Sequence, residues 1–512
     1  MTTTYPELND LVRIMEGRPS TNGWDVVCSY TVKQLNDFLE SQYQAGKLAK
    51  DVVLSTVRVD PIWSDNFEIQ YDIRFASPVL SFITGRSGFA MLTMPINEGS
   101  IVTIITKDKK REIQIPGGKY SVQAIVPLAA IKGDTGEVIE YDNVVTFSDG
   151  NPHDNHIIVH FKSEKGTLYQ IVPAPDPQDQ DILVTYFLPV LKEYFQTNIR
   201  AIDYALSSIN NKRPQSGETI LTPKSFVFAS TGDGDDGVLS LYIQTNESGN
   251  PPGNPSPSFQ PGDVASCPVP NGYTASIILS NRLMTQSFLK RQLEASGFSV
   301  ELSNPVSGGG VSAILRKNQN IFAIGESEQS FFENHSYDGL QISMQDNPVH
   351  MTLQNGGITL AFGGSTRSMW SQNRVFQRSG TWGGVYISLG LHKGPIPLTL
   401  SENDVIESRV SVGASDFNVG LNAYGCDVWE SMNGCSKSYP SFYDGLSKKL
   451  QIPSIDLNLP GLDFFNTTNL LAPGQNVINL DTSKGVLTPH DFLVVGNVAN
   501  LSQLRKQRNG AV

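Results

Sequence analysis

Apolar residues at spacings of three and four mark one stretch of this chain above all others. Residues 181–210 read DILVTYFLPVLKEYFQTNIRAIDYALSSIN, and Val184, Leu188, Leu191, Phe195, Ile199, Ile202 and Leu206 keep the helical period. A helix of that length would run on the order of 45 Å. Ile182, Phe187, Val190, Tyr194 and Tyr204 widen the stripe until much of its first half is apolar. Burying about ten such side chains is worth roughly 15–30 kcal/mol before entropy is counted. One flat sheet cannot enclose such a helix; a strongly curved sheet wrapped round it can. Pro189 removes one intrahelical hydrogen bond, so it predicts a kink there or marks the true start of the helix.

Elsewhere the pattern is that of strands. Stretches 52–59, 67–75, 89–94, 101–106, 120–126, 144–147 and 156–161 alternate or carry β-branched residues. Turn signals divide them: Gly85, Asn97-Glu98-Gly99, Gly117-Gly118, Asp134-Thr135-Gly136 and Asp149-Gly150. The short connections predict antiparallel hairpins and a meander. Residues 223–244 read as a further hairpin. The second half predicts strands over 311–315, 340–344, 350–353, 358–362, 385–391 and 405–412, and a short helix over 439–450.

One pattern occurs twice. Residues 22–46, NGWDVVCSYTVKQLNDFLESQYQAG, read as an Asn-Gly turn, a strand, and a helix capped by Thr31 with Val32, Leu35, Phe38, Leu39 and Tyr43 at helical spacing. About 250 residues later, residues 271–297 read NGYTASIILSNRLMTQSFLKRQLEASG, with Asn271-Gly272-Tyr273 facing Asn22-Gly23-Trp24 and Phe288-Leu289 facing Phe38-Leu39. A repeated opening points to a repeated domain. Just before the second copy, residues 246–270 are dense in Pro, Gly and Ser and predict no regular element. The expected organisation is a first domain over 1–250, a linker or loop over 251–270, and a second domain over 271–512.

Composition narrows the function classes. A chain of 512 residues exceeds a single core, and 17% charged residues with 45 Gly and 30 Pro suit a turn-rich, strand-dominated protein. A net charge of −12 opposes nucleic-acid binding, which needs a cationic footprint. No apolar run reaches the ~18 residues of a membrane span, and residues 1–17 do not read as a Sec-type signal peptide. The expected location is therefore cytoplasmic, or outside the cell by another export route. Four cysteines make no disulfide framework, and Cys426 and Cys435, though close in sequence, read as free thiols in a reducing compartment.

Signals for chemistry are weak. His156 and His160 would share a strand face about 13 Å apart, too far for joint metal ligation. Asp233, Asp235 and Asp236 resemble half a calcium loop, but Gln244 stands where the bidentate Glu belongs, so a hairpin turn is the better reading. Residues 107–111, KDKKR, read as a solvated turn, with an anionic headgroup as the minority partner. G-x-S-x-G, G-x-x-x-x-G-K-[ST], H-E-x-x-H and C-x-x-C are all missing, so no enzyme class has a positive signal and no cofactor is expected.

The NGW-D opening, the long apolar helix, and the closing LNLPGL, NLLAPG and LTPHDFLVVGNV resemble the clostridial forty-seven-kilodalton accessory proteins encoded with botulinum neurotoxin in orf-X gene clusters. The resemblance implies an α+β, β-rich chain of two tubular lipid-binding (TULIP) domains, each a long helix wrapped by a strongly curved antiparallel sheet. It also implies lipid or apolar-ligand binding without enzymatic activity, and protein partners from the same gene cluster. This chain is longer than the family pattern around the Pro-rich linker and over 354–384. The family reading and the residue pattern meet on a seam between helix and sheet in which acyl chains could lie, gaining about 0.8 kcal/mol per buried methylene. Val184, Leu188, Leu191 and Phe195 are the expected lining of the first seam, and Leu283, Phe288 and Leu289 of the second. Transient membrane contact is compatible with this reading. A filled core serving assembly, with no ligand, is the first alternative. A sugar-binding surface around Trp370 and Trp382 is the second.

Overall fold

The computed structural model describes residues 5–502 apart from 60–65, 107–108, 148–151, 216–218, 233, 235, 307–309, 330, 332, 375–379, 402, 404, 427–445, 460 and 473–475. The fold is β-rich and antiparallel, with several open sheets and few helices.

The two copies of the opening motif meet at the middle of one seven-stranded sheet. Strand β1 (Val26–Thr31) pairs with Ala275–Leu279 in antiparallel register, Cys28 opposite Ile277 and Ser29 opposite Ser276. A hairpin flanks each: Pro223–Thr231 with Val238–Thr245 beside β1, and Asn476–Leu480 with Phe492–Asn500 beside its mate. A hydroxyl caps the helix that follows each central strand. Thr31 accepts from Gln34 N–H at the start of Val32–Gln44, and Ser280 Oγ accepts from Leu283 N–H.

Both central strands are buried on both faces, as their near-continuous apolar runs require. One face meets the main core. Across the other lie the helix Leu8–Met15 and the Pro-rich segment, through Leu11, Met15, Trp24 and Phe259. That segment has no regular element beyond one short 3₁₀ turn, Pro261–Asp263, but it is tied down. Trp24 Nε1 donates to the Asn254 carbonyl at 2.8 Å, and Gly253 lies so close to the indole that a Cβ there would sit 2.4 Å from Trp24 Cδ1.

The second sheet runs from β2 (Asp51–Val59) and β3 (Asn66–Phe75) through Phe89–Thr106, Ser121–Lys132, Asp154–Val159 and Ala205–Asn210 to Leu470–Leu471. The stretches expected as separate strands at 89–94 and 101–106 are one strand of 18 residues. Gly99 is not a turn residue: it faces Ile73 across the ladder, where a Cβ would meet Ile73 Cδ1 at 2.7 Å. Close approach, not chain reversal, explains the glycine. A third sheet in the second half is built on the paired 18-residue strands Gly357–Arg374 and Gly380–Pro397. Of the helix expected over 439–450, residues 439–445 lie outside the described residues and 446–449 form a 3₁₀ turn.

The long helix differs from expectation at both ends. It runs over 177–198, as a short turn Pro177–Gln180, a π-helical Asp181–Phe187 and an α-helical Leu188–Asn198. The π stretch sits just ahead of Pro189, which lacks an N–H and whose ring would press on the carbonyl four residues back. Widening the preceding turn, with Leu188 N–H bonding the Leu183 carbonyl, absorbs the defect without a break. Residues 199–210 do not continue the helix. Ile199 is extended, Ala201–Tyr204 is a 3₁₀ turn, and Ala205–Asn210 is a strand paired to Asp154–Val159 on one side and Leu470–Leu471 on the other. Ladder partners on both sides outweigh a helical period that Tyr204 and Leu206 satisfy equally well as strand residues.

Candidate functional site

The helix 177–198 buries one face and exposes the other. Leu183, Phe187, Leu191 and Phe195 are essentially inaccessible, while Val184 is 38% exposed. Leu188 is buried at the margin. The buried face meets rings, not a void. Phe187 packs on Tyr71 with centroids 5.6 Å apart, Phe195 on Phe161 at 4.9 Å and Tyr169 at 6.4 Å, and Phe161 edge-on to Tyr204 at 4.9 Å. Leu188, Leu191 and Phe195 thus stand together in an aromatic-rich core, and Val184 stands apart on the solvent side. Leu283, Phe288 and Leu289 are buried too, on the helix after the second central strand, and belong to the same continuous core cluster as the first group. Two buried polar atoms border the seam without a hydrogen-bond partner among the described residues, the Tyr71 hydroxyl beside Phe187 and the Tyr169 hydroxyl beside Phe195.

A larger concavity than the seam offers lies elsewhere among the described residues. An open groove of about 810 Å³ runs between the two-stranded sheet Asn320–Ala323 with Leu340–Ser343 and the segment 451–453. Its walls join apolar Phe322, Ile324, Leu340 and Ile452 to the amides of Gln319, Asn320, Gln341 and Gln451. Ile324 is 69% exposed and Phe322 37%. Gln451 N–H donates to the Phe322 carbonyl at 2.9 Å and so pins the far wall. The near wall is drawn tight by Gly325 and Gly339, where a Cβ on Gly339 would lie 2.4 Å from the Ala323 carbonyl oxygen. Sequence reasoning missed this groove because its two walls are more than a hundred positions apart: a strand was expected over 340–344, but nothing local brings residues 451–453 to it.

A smaller polar cleft of about 240 Å³ includes His156, Ser208, Asp203 and Lys47. His156 Nδ1 lies 2.6 Å from Ser208 Oγ, its partner across the ladder, and His156 Nε2 lies 3.9 Å from Asp134. Burial pushes the pKa of His156 and of His160 below the ordinary histidine value. The folded state therefore holds fewer protons than the unfolded chain below the unfolded pKa of about 6.5, and stability is lost as pH falls through the lower folded values. A lower urea midpoint at about pH 5.5 than at about pH 7 is expected, with a shallower dependence in His156→Gln. Equal slopes in the variant and the parent would show that His156 contributes nothing. Among the described residues no cluster of three or more His, Cys, Asp or Glu could hold a metal ion.

Trp370 is 3% exposed inside the core, which corrects its reading as a sugar platform: an indole stacks on a sugar only from the surface. The Trp382 side chain and Cys435 lie outside the described residues. Cys28 and Cys267 are buried free thiols whose pKa is pushed up to about 12 by burial. Asp233 and Asp235 lie outside the described residues, and the strands flanking Asp236 pair as the expected hairpin, with Thr231 opposite Val238. No helix among the described residues is long and apolar enough to cross a membrane.

No family model matches the sequence, and no curated protein is detectably similar to it. Among solved structures the chain is similar to P47 of Clostridium botulinum E1, at 12% identity and a TM-score of 0.46, over 93% of this chain and 99% of that one. It is likewise similar to P47 from Clostridium botulinum A2, at 14% identity and a TM-score of 0.49, over 95% of this chain and the whole of the other.

Proposed function

We propose that the protein is a non-enzymatic binder of a lipid or similar amphiphile, taken up in the open groove between Asn320–Ala323 and residues 451–453. The observation that carries this reading is the groove itself. Its volume of about 810 Å³ falls in the range of small-molecule sites, and its lining combines apolar side chains with neutral amides. Such a surface suits an acyl chain with an uncharged or weakly charged polar end. In this reading the exposed Ile324 becomes covered on binding. Ile324→Asp is expected to weaken uptake of a fluorescent fatty acid about tenfold or more, while leaving the unfolding midpoint nearly unchanged. Lipid-free organic extracts of the purified protein, together with no uptake of the labelled fatty acid, would defeat the proposal.

A second reading keeps the ligand in the seam under the helix 177–198, and the partnerless Tyr169 hydroxyl favours it: a buried polar atom without a partner is where a ligand's polar group would gain most. The tubular lipid-binding arrangement belongs to this version, with the helix already lying against β3 and Leu168–Val172 through Phe67–Tyr186 and Tyr169–Phe195. Lipid uptake that survives Ile324→Asp but changes in Phe195→Ala would select the seam over the groove. An accessory role beside a bacterial toxin or secretion locus, with protein partners from that locus, is part of the proposal and is tested by co-purification from the native host.

A further inference from the structure

The end of the second sheet carries an edge whose outer side takes no part in the groove or the seam. Among the described residues β2 pairs only with β3, over nine residues and without a bulge. Its free side therefore presents an unbroken run of backbone donors and acceptors. Edge strands are usually guarded by proline, lysine, a bulge or a covering element. Strand β2, DVVLSTVRV, contains neither proline nor lysine. Its outward residues include Val53, Val57 and Val59, at 70%, 68% and 62% exposure. These are the residues of a strand that another strand covers.

We propose that β2 pairs with β2 of a second copy of this chain, making a symmetric dimer through one continuous sheet. The sequence of the strand argues for a second copy over an arbitrary partner. A twofold axis perpendicular to the sheet requires antiparallel pairing that keeps outward residues on the same face. Centred on Ser55, the middle residue of β2, that pairing engages the whole strand. It sets Val53 opposite the partner copy's Val57 twice, Asp51 opposite Val59, Arg58 opposite Val52, and Ser55 opposite itself. No like charges meet, and both valine pairs are of the type that stabilises sheets. Asp51 is already held by Arg74 Nε at 2.8 Å, so its charge remains neutralised at the edge of the interface. A contact built on nine residues a side is well below the roughly 20–30 of a standard interface, so the dimer belongs to the weak, concentration-dependent class.

Light scattering on the eluting full-length protein tests this across a dilution series. The expected result is a mass that rises from monomer toward dimer with concentration, and a monomer throughout for the Val53→Lys, Val57→Lys double variant. Ser55→Cys supplies the register: cysteines facing each other across the axis should form an intermolecular disulfide under mild oxidation, several-fold faster than Val79→Cys, an exposed position off β2. A wild-type chain that stays monomeric at every concentration would overturn the proposal. So would a dimer unaffected by the two lysines, or crosslinking at Ser55→Cys no faster than at Val79→Cys.

Discussion

Asp491→Ala is expected to destabilise the protein by about 3–5 kcal/mol, a large loss for a polar substitution. The Asp491 carboxylate is 2% exposed and closes three hydrogen bonds, from Ser20 N–H at 2.7 Å, Ser20 Oγ at 2.7 Å and Asn281 N–H at 2.8 Å. It joins the N-terminal segment to the turn after the second central strand, parts of the chain that sequence keeps far apart. Removal strands buried donors, each costing about 1–3 kcal/mol, with some relief from side-chain rotation and entering water. Asp491→Asn keeps one acceptor oxygen and should lose roughly half as much. Urea denaturation followed by Trp24 fluorescence measures both, since Trp24 and Leu493 share one cluster. An Asp491→Ala midpoint equal to wild type would show that this clamp is not engaged in solution. Asp25 is its counterpart at the other copy of the motif, accepting from Thr245 N–H at 2.9 Å and Asn250 Nδ2 at 2.5 Å. The acids of the NGW-D opening and of the closing LTPHDF are therefore clamps on the central sheet.

Phe195→Ala should cost about 3–5 kcal/mol and open a cavity bounded by Phe161, Tyr169, Tyr194 and Tyr204. Those rings stack on one another through Phe195, so the void cannot close without moving several of them. The same variant bears on function. If the seam accepts acyl chains, the cavity lengthens it and labelled fatty acid should bind more tightly or recover part of the lost midpoint. If the groove is the site, uptake should be unchanged once the loss of stability is allowed for. Phe195→Leu, which restores most of the volume, should recover a large share of the stability in either case. Full stability in Phe195→Ala would mean that this aromatic core is not formed in solution.

Local chemistry was enough to predict several elements. The cap at Thr31, the hairpin over Pro223–Thr231 and Val238–Thr245, and β2 and β3 follow from hydroxyl placement, turn dipeptides and β-branched alternation, all of which act within a few residues. Both copies of the repeated motif were legible for the same reason. The candidate sites were legible only in part. Leu188, Leu191 and Phe195 could be recognised as buried from their spacing, but Val184 shares that spacing and faces solvent, because a sheet covers one side of the helix and the periodic stripe is wider than the sheet's reach. Beyond the strand expected over 340–344, the groove beside Ile324 left no sequence signal, since it exists only where residues 451–453 return to Asn320–Ala323.

Composition, turn residues and apolar periodicity thus determined a strand-dominated chain with a repeated turn-strand-helix unit and a long helix from residue 181, which they carried on to 210. Tertiary structure alone decided that the two units pair with each other, that residues 205–210 become a strand, and that Gly99 serves close packing and not a turn. The physical reason is common to all three. A backbone ladder partner, or a neighbour's side chain pressing within 3 Å, adds stabilising and excluding terms that depend on residues a hundred or more positions away or on the opposite strand, and local pattern carries no record of them.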